Sequence, residues 1–168
     1  METKIFTPGL AEATLANNQT ILVSTATNLA IISVNDPKDW IDETLHVFAP
    51  TIEGTYIVLA NIYCSVSALG KSWSLTVKKN GVPVAYASRA LSAVEQTINL
   101  NTFQYMDGLS DILTFEVFHD SNVVPLSILS NNTMISIFLK DPEYYLDPLS
   151  NKLKVGGLTR LSLPSNQA

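Results

Sequence analysis

Few residues in this chain have the type and spacing to do chemistry. There are two histidines, His46 and His119, and Asp120 follows the second directly. A His–Asp pair is half of a metal site or an acid–base couple. A metal site takes three or four ligands, and no H-x-H, H-E-x-x-H or C-x-x-C pattern accompanies this one. The pair is therefore read as polar residues at a strand end. The single cysteine, Cys64, excludes an internal disulfide and stands among apolar residues, where it reads as a small buried hydrophobe. Asp107, Asp111 and Asp120 carry oxygens of the kind calcium takes, but not at the spacing of a calcium loop. They are expected to be solvated turn carboxylates, and Lys78 and Lys79 a solvated basic pair. No G-x-S-x-G motif occurs, and Gly156 and Gly157 lack the setting of a phosphate loop. No catalytic, cofactor-binding or metal-binding residue is assigned, and the chain is read as a non-enzyme without a cofactor. Tyr144 and Tyr145 are different. Tyrosine joins apolar area to a hydroxyl, which suits docking anchors at a protein interface.

The elements that position these residues are strands. Short apolar runs at 21–24, 29–34, 54–66, 72–78, 82–87, 97–103, 112–118 and 133–139 are separated by turn chemistry. Asn80-Gly81 is a strong two-residue hairpin signal, because both residues tolerate positive φ. Asp107-Gly108 and the stretch 35–39 read as further turns. Trp40 and Leu45 are expected to pack on a sandwich edge. No stretch shows sustained helical periodicity. This pattern predicts an all-β antiparallel sandwich of the jelly-roll type over residues 19–140. Residues 1–18 read as an N-terminal arm broken by Pro8-Gly9, with room for one helical turn at 11–15. Residues 141–168, with Pro142, Pro148, Gly156, Gly157 and Pro164, read as an extended C-terminal tail.

Composition narrows the function classes. Charged residues make up only 15% of the chain, against about 25% in an average soluble domain, so much of the surface is expected to lie in contacts. A formal charge of −5 argues against a nucleic-acid partner, which calls for a basic stripe. No apolar run reaches the roughly 18 residues of a membrane span, so no membrane insertion is expected. The first residues lack the basic and apolar regions of a secretory signal. The sequons at Asn18 and Asn131 are accordingly read as chance matches.

Strand parity carries the strongest inference. A strand of a solitary antiparallel sandwich has one apolar and one polar face, as residues 72–78 do. Residues 54–66 do not. Tyr56, Val58, Ala60, Ile62, Cys64 and Val66 make one face, and Ile57, Leu59 and Tyr63 load the other. Residues 112–118 and 133–139 also place large apolar residues on both faces. If the three runs share a sheet, its second face needs a cover, and a second copy of the chain would supply one. The expected oligomer interface is Ile57, Leu59, Tyr63, Phe118, Met134 and Phe138. Glu116, on the same face, needs a partner or a place at the rim.

In order along the chain, these residues resemble the tumour-necrosis-factor/C1q-like jelly roll. The resemblance rests on Glu53 to Tyr56 leading into an apolar strand and on Lys78 to Val82 around the Asn-Gly hairpin. It rests also on Asp107 to Val117, a turn followed by an apolar strand, and on Thr133 to Leu139 as the last strand. It covers roughly residues 30–140 and implies a homotrimer with one sheet packed around the three-fold axis. Domains of this type without a stalk, signal or anchor resemble those of bacteriophage capsid decoration, head-fibre and tail-fibre proteins. What the resemblance implies is a structural virion protein at the particle surface. Its partners would be further copies of itself and a major capsid or other virion protein, reached through the terminal arms. The alternative it implies is a fibre-tip module that binds a host-surface receptor or glycan, with the loops 67–71 and 119–132 exposed.

Overall fold

The run that is apolar on both faces becomes the axis of the molecule. In a computed structural model the described residues are 9–65, 72–91, 95–120 and 125–140, together with the backbone of Tyr145–Asp147 and Lys152–Lys154. In chain order the strands are β1 (Leu10–Leu15), β2 (Gln19–Ile21), β3 (Thr27–Asn28), β4 (Ile31–Asn35), β5 (Ile41–Asp42), β6 (Val47–Phe48), β7 (Gly54–Ser65) and β8 (Ser72–Lys79). They continue as β9 (Val82–Ala90), β10 (Gln96–Met106), β11 (Leu113–His119), β12 (Leu126–Ile128), β13 (Met134–Lys140), β14 (Tyr145–Asp147) and β15 (Lys152–Lys154). Among the described residues the helical content is one 3-10 turn at Ser130–Asn132.

Two antiparallel sheets face each other. In the first, β7 pairs along one edge with β10 and along the other with β13 and, at its far end, β12. β1 then adds to β13, β4 to β1, and β2 to β12. The second sheet runs β5-β6-β11-β8-β9, with β3 also on β11. Alternate residues point inward, because the side-chain period of a strand is two. Tyr56, Val58, Ala60, Ile62 and Cys64 of β7 meet Trp73, Leu75 and Val77 of β8 and Leu113, Phe115 and Val117 of β11 in one core.

The aromatic end of that core holds three rings edge to face. Centroids are 5.6 Å apart for Trp40–Tyr56, 5.9 Å for Trp40–Phe48 and 5.4 Å for Phe48–Tyr56. T-shaped pairs add to plain area burial because a ring's positive edge meets a negative face. Their polar atoms are satisfied. The Tyr56 hydroxyl donates to the Ile52 carbonyl at 2.7 Å, and the Trp40 Nε1 donates to the Thr51 hydroxyl at 3.0 Å. Trp40 is thus fully buried, whereas Leu45, expected beside it, is exposed in the turn between β5 and β6.

Several expectations are corrected. Residues 10–15 are neither arm nor helical turn. They form β1, an interior strand whose Ala11, Ala13 and Leu15 lie in the core. Strand formation there buries three apolar side chains, which one isolated helical turn would leave in water. The expected loop 119–132 contains β12, pinned between β2 and β7. The expected loop 67–71 lies outside the described residues, as do residues 1–8. The tail contains an antiparallel hairpin of β14 and β15, and its remaining residues also lie outside the described ones. Most importantly, the runs 54–66 and 133–139 share a sheet but 112–118 does not. β11 belongs to the second sheet.

Gly9 is where β1 starts against the core. A Cβ built there would lie 2.4 Å from Trp40 Cη2 and 2.8 Å from Cζ3. Gly9→Ala is expected to lower stability by about 1–3 kcal/mol through overpacking, read as a lower midpoint in urea or thermal unfolding. Gly81→Ala, at φ +80° but with open space around its Cβ position, should disturb only the hairpin.

Candidate assembly surface

The outward face of the first sheet is built by the parity opposite to the core. Cross-strand register places Leu10, Phe138, Ile57 and Phe103 in one row, on β1, β13, β7 and β10. At about 4.8 Å between strands this apolar lane is about 14 Å long. Ile57, Phe138 and Leu10 are half-buried by their neighbours, while Phe103 is 62% exposed. The next row is Glu12, Ser136, Leu59 and Asn101, and beyond it come Met134, Asn61 and Asn99, then Tyr63 beside Thr97. On the other side of the lane lie Lys140, Thr55 and Tyr105.

Of the six residues expected on one interface, Ile57, Leu59, Tyr63, Met134 and Phe138 share this face. Phe118 does not. It points outward from the second sheet, opposite Ser74. The face is also not uniformly apolar, because Asn61 and Ser136 separate the lane from Met134 and Tyr63. Leu10, Phe103 and Tyr105 were missed. Phe103 was findable, as the one large apolar residue on the otherwise polar parity of Thr97, Asn99 and Asn101. Tyr144 lies outside the described residues. Tyr145 opens β14, where only the backbone is described.

Polar groups frame the lane. The Tyr63 hydroxyl donates to Glu95 and the Tyr105 hydroxyl to Glu53. These contacts, more than any other cause, push both phenols above their ordinary value, because losing the proton beside a carboxylate sets two negative charges together. Lys140 Nζ lies 5.5 Å from the centre of the Phe103 ring and Lys79 Nζ 5.8 Å from that of Tyr105. Both separations fit cation–π attraction.

One end of the sandwich is locked by its carboxylates. Asp107 Oδ1 accepts the backbone N–H groups of Leu109, Ser110 and Asp111, each at 2.9 Å. Those bonds hold its carboxyl well below the usual range. Asp111 takes Lys79 at 2.7 Å, the Asn80 amide at 2.7 Å and the Asp107 N–H at 2.8 Å. The Lys79 contact is the largest cause of its own lowered value. Gly108, at φ +68°, presses so close that a Cβ would lie 2.5 Å from the Glu53 nitrogen. Lys79 and Asp111 are therefore not the solvated residues expected, and neither is Lys78, which pairs with Glu116 at 2.5 Å. That pair answers the charge that looked misplaced on β11. The hairpin Asn80–Gly81 has the two positive φ values its sequence calls for, 51° and 80°.

The two histidines, Asp120 and Cys64 are engaged or buried within the fold. His119 is fully buried, with Nε2 at 2.9 Å from the Ile21 carbonyl. Asp120 Oδ1 accepts the Ser72 N–H, at 2.7 Å. His46 sits at φ +56° with Nδ1 3.0 Å from the Ile31 carbonyl. Burial pushes the Cys64 thiol up to about 12, far from a working nucleophile. Among the described residues no group of three or more His, Cys, Asp or Glu side chains is placed to hold a metal.

No family model and no curated protein matches this sequence. Solved structures do. Murine APRIL superposes with a TM-score of 0.60 at 11% identity, covering 78% of this chain and 98% of that one, in a crystal structure at pH 5.0. A second murine APRIL structure, at pH 8.0, gives 0.59 at 12% identity with the same coverage. The globular domain of zebrafish complement 1qA protein gives 0.53 at 12% identity, covering 78% and 96%. The chain is an all-β sandwich with the tumour-necrosis-factor/C1q-like jelly-roll fold. At this level of identity the likeness extends to the fold alone.

Acid should loosen the locked end. Asp107 and Asp111 have folded values below the ordinary 3.8. Their contribution is complete above that value and is lost as pH falls below it. Asp107→Asn is expected to flatten the dependence of unfolding on pH below about 4, checked by denaturant midpoints between pH 2.5 and 6.

Proposed function

We propose that this chain is a non-enzymatic structural protein that works as a homotrimer through the outward face of its first sheet. We place it on a virus particle, as a bacteriophage capsid decoration or fibre-type protein held at the particle surface by its terminal segments. The observation that carries the assembly is the lane Leu10–Phe138–Ile57–Phe103. It lies on the side of β7 turned away from the core, with Phe103 mostly in water in a single copy. Contiguous apolar area of this kind on a protein surface marks a contact site.

Attachment through the termini is supported by where they leave the sandwich. The Leu139 N–H donates to the Gly9 carbonyl at 2.8 Å, so the two ends of the described sandwich lie side by side. The described sandwich thus begins and ends at one place, beside Gly9 and Leu139. The particle setting and the capsid or other virion partner come from the resemblance of the sequence to phage domains of this fold.

A second reading, a receptor- or carbohydrate-binding module, draws on the outward face of the second sheet. Tyr86 is 66% exposed beside Thr76, and Phe118 flanks Ser74 and Ser88. Aromatic faces next to hydroxyls suit a sugar. Glycan-array binding that disappears in Tyr86→Ala would favour this reading over pure decoration.

The assembly is tested by mass in solution. A trimer at micromolar concentration is expected, and a stable monomer overturns it. Phe138→Glu should separate the subunits by leaving a carboxylate without a partner inside the contact, at a cost of several kcal/mol. Because Phe138 points away from the core, far-ultraviolet circular dichroism should remain that of the folded strands. An unchanged oligomer removes Phe138 from the interface.

A further inference from the structure

Strand β10 is a long sheet edge with no protection of its own. It runs 11 residues without a proline or a charged side chain. It pairs with β7 without a shift in register, and among the described residues no other strand pairs with it. Such an edge offers a row of backbone groups to any further strand. Which groups these are follows from β7. The Tyr63 N–H donates to the Thr133 hydroxyl at 3.2 Å, and the Tyr63 carbonyl accepts the Leu129 N–H at 2.9 Å, both on the β12–β13 side. Backbone groups alternate sides along a strand, so Tyr56, Val58, Ala60 and Ile62 turn theirs to β10. They meet Gln104, Thr102, Leu100 and Ile98. Thr97, Asn99, Asn101, Phe103 and Tyr105 therefore turn theirs to the outer edge.

Other edges are blunted locally. β4 is only 5 residues long, and Glu43 accepts its Ser33 N–H at 2.8 Å. β9 carries Pro83 and a register shift against β8. At β10 the blunting comes from the other sheet. Arg89 of β9 donates to the Thr97 carbonyl at 2.9 Å, and Lys79 of β8 donates to the Tyr105 carbonyl at 2.7 Å. One cation thus sits at each end of the outward row. We infer that Arg89 and Lys79 are edge guards, which keep β10 from pairing with the same edge of a second copy of the chain. The two edges would match if they met. Antiparallel pairing centred on Asn101 sets Thr97 opposite Tyr105 and Asn99 opposite Phe103, and no charge on the strand opposes it. An incoming strand needs the two carbonyls that the guards occupy and the space that their side chains fill. The inference goes beyond the assembly reading and does not depend on it. Edge pairing uses groups in the plane of the sheet, not its outward face.

The test uses the full chain. Amide hydrogen exchange, read by NMR, comes first. In the wild type Ile98, Leu100, Thr102 and Gln104 should exchange slowly, and Asn99, Asn101 and Phe103 fast. Slow exchange at those three overturns the inference, because the edge is then already covered. This measurement needs no variant. Arg89→Met then keeps the length of the side chain and removes its donors. Arg89 is exposed, so the fold is expected to survive. Lys79 is left in place because it also holds Asp111. Loss of one positive charge takes the formal net charge from −5 to −6, which by itself favours dispersal. The variant is nevertheless expected to form larger β-paired species at least about fivefold faster than the wild type, by light scattering and thioflavin T fluorescence. In those species Asn99, Asn101 and Phe103 should become slow to exchange. Arg89→Lys keeps a donor and should stay close to the wild type. Adding Asn101→Lys to Arg89→Met puts a charge on the edge itself and should restore dispersal. Arg89→Met that associates no faster than the wild type overturns the inference, as does association that leaves the three amides fast.

Discussion

Strand β7 is hydrogen-bonded along both edges and carries large side chains on both faces, and the rest of the molecule is arranged around that fact. Its inner face sets the core against β8 and β11. Its edges fix the register of β10 and β13, and through β13 that of β1 and β4. A one-residue slip would exchange Tyr56, Val58 and Ala60 for Ile57, Leu59 and Asn61, moving an amide into the core. Large apolar residues on the outward face of such a strand favour a cover. The proposed trimer is a response to that constraint.

The second constraint is electrostatic and local. Few charges occur, and most of those on strands or turns are engaged. Lys78 with Glu116 and Lys79 with Asp111 are ion pairs, and Asp107 is held by backbone N–H groups. The second pair and Asp107 tie the β8–β9 hairpin to the β10–β11 turn, and Gly108 packs that turn against the chain entering β7. This end of the sandwich is braced by polar contacts, while its interior, with Trp40, Phe48 and Tyr56, is braced by rings.

Much of the fold was legible, because alternation reports which residues share a face. The inner residues of β7, β8, β11 and β13 were readable in this way, as was the hairpin at Asn80-Gly81. Alternation does not report which strand lies next to which. For that reason β11 was placed on the wrong sheet and Phe118 on the wrong surface. Its outward Glu116 was the clue, since a carboxylate there called for the lysine that β8 supplies. β1 escaped notice for a different reason. Ala11 and Ala13 have weak strand preference, so the run carries little strand signal even though both side chains are buried. The aspartates were readable as turn formers but not as a lock, because the lysine and amide that complete it come from β8 and its hairpin, some thirty residues away.

The Asn80–Gly81 hairpin has a bearing on how the protein ages. Asparagine before glycine is the pair most prone to lose its amide, through attack of the glycine nitrogen on the asparagine side-chain carbon to form a cyclic imide. Here the Asn80 oxygen accepts the Ile112 N–H at 2.9 Å and its nitrogen donates to Asp111 at 2.7 Å. Cyclisation would break both contacts and, once the ring opened, leave a new carboxylate facing Asp111. Two hydrogen bonds made for architecture thereby oppose chemical decay at this turn.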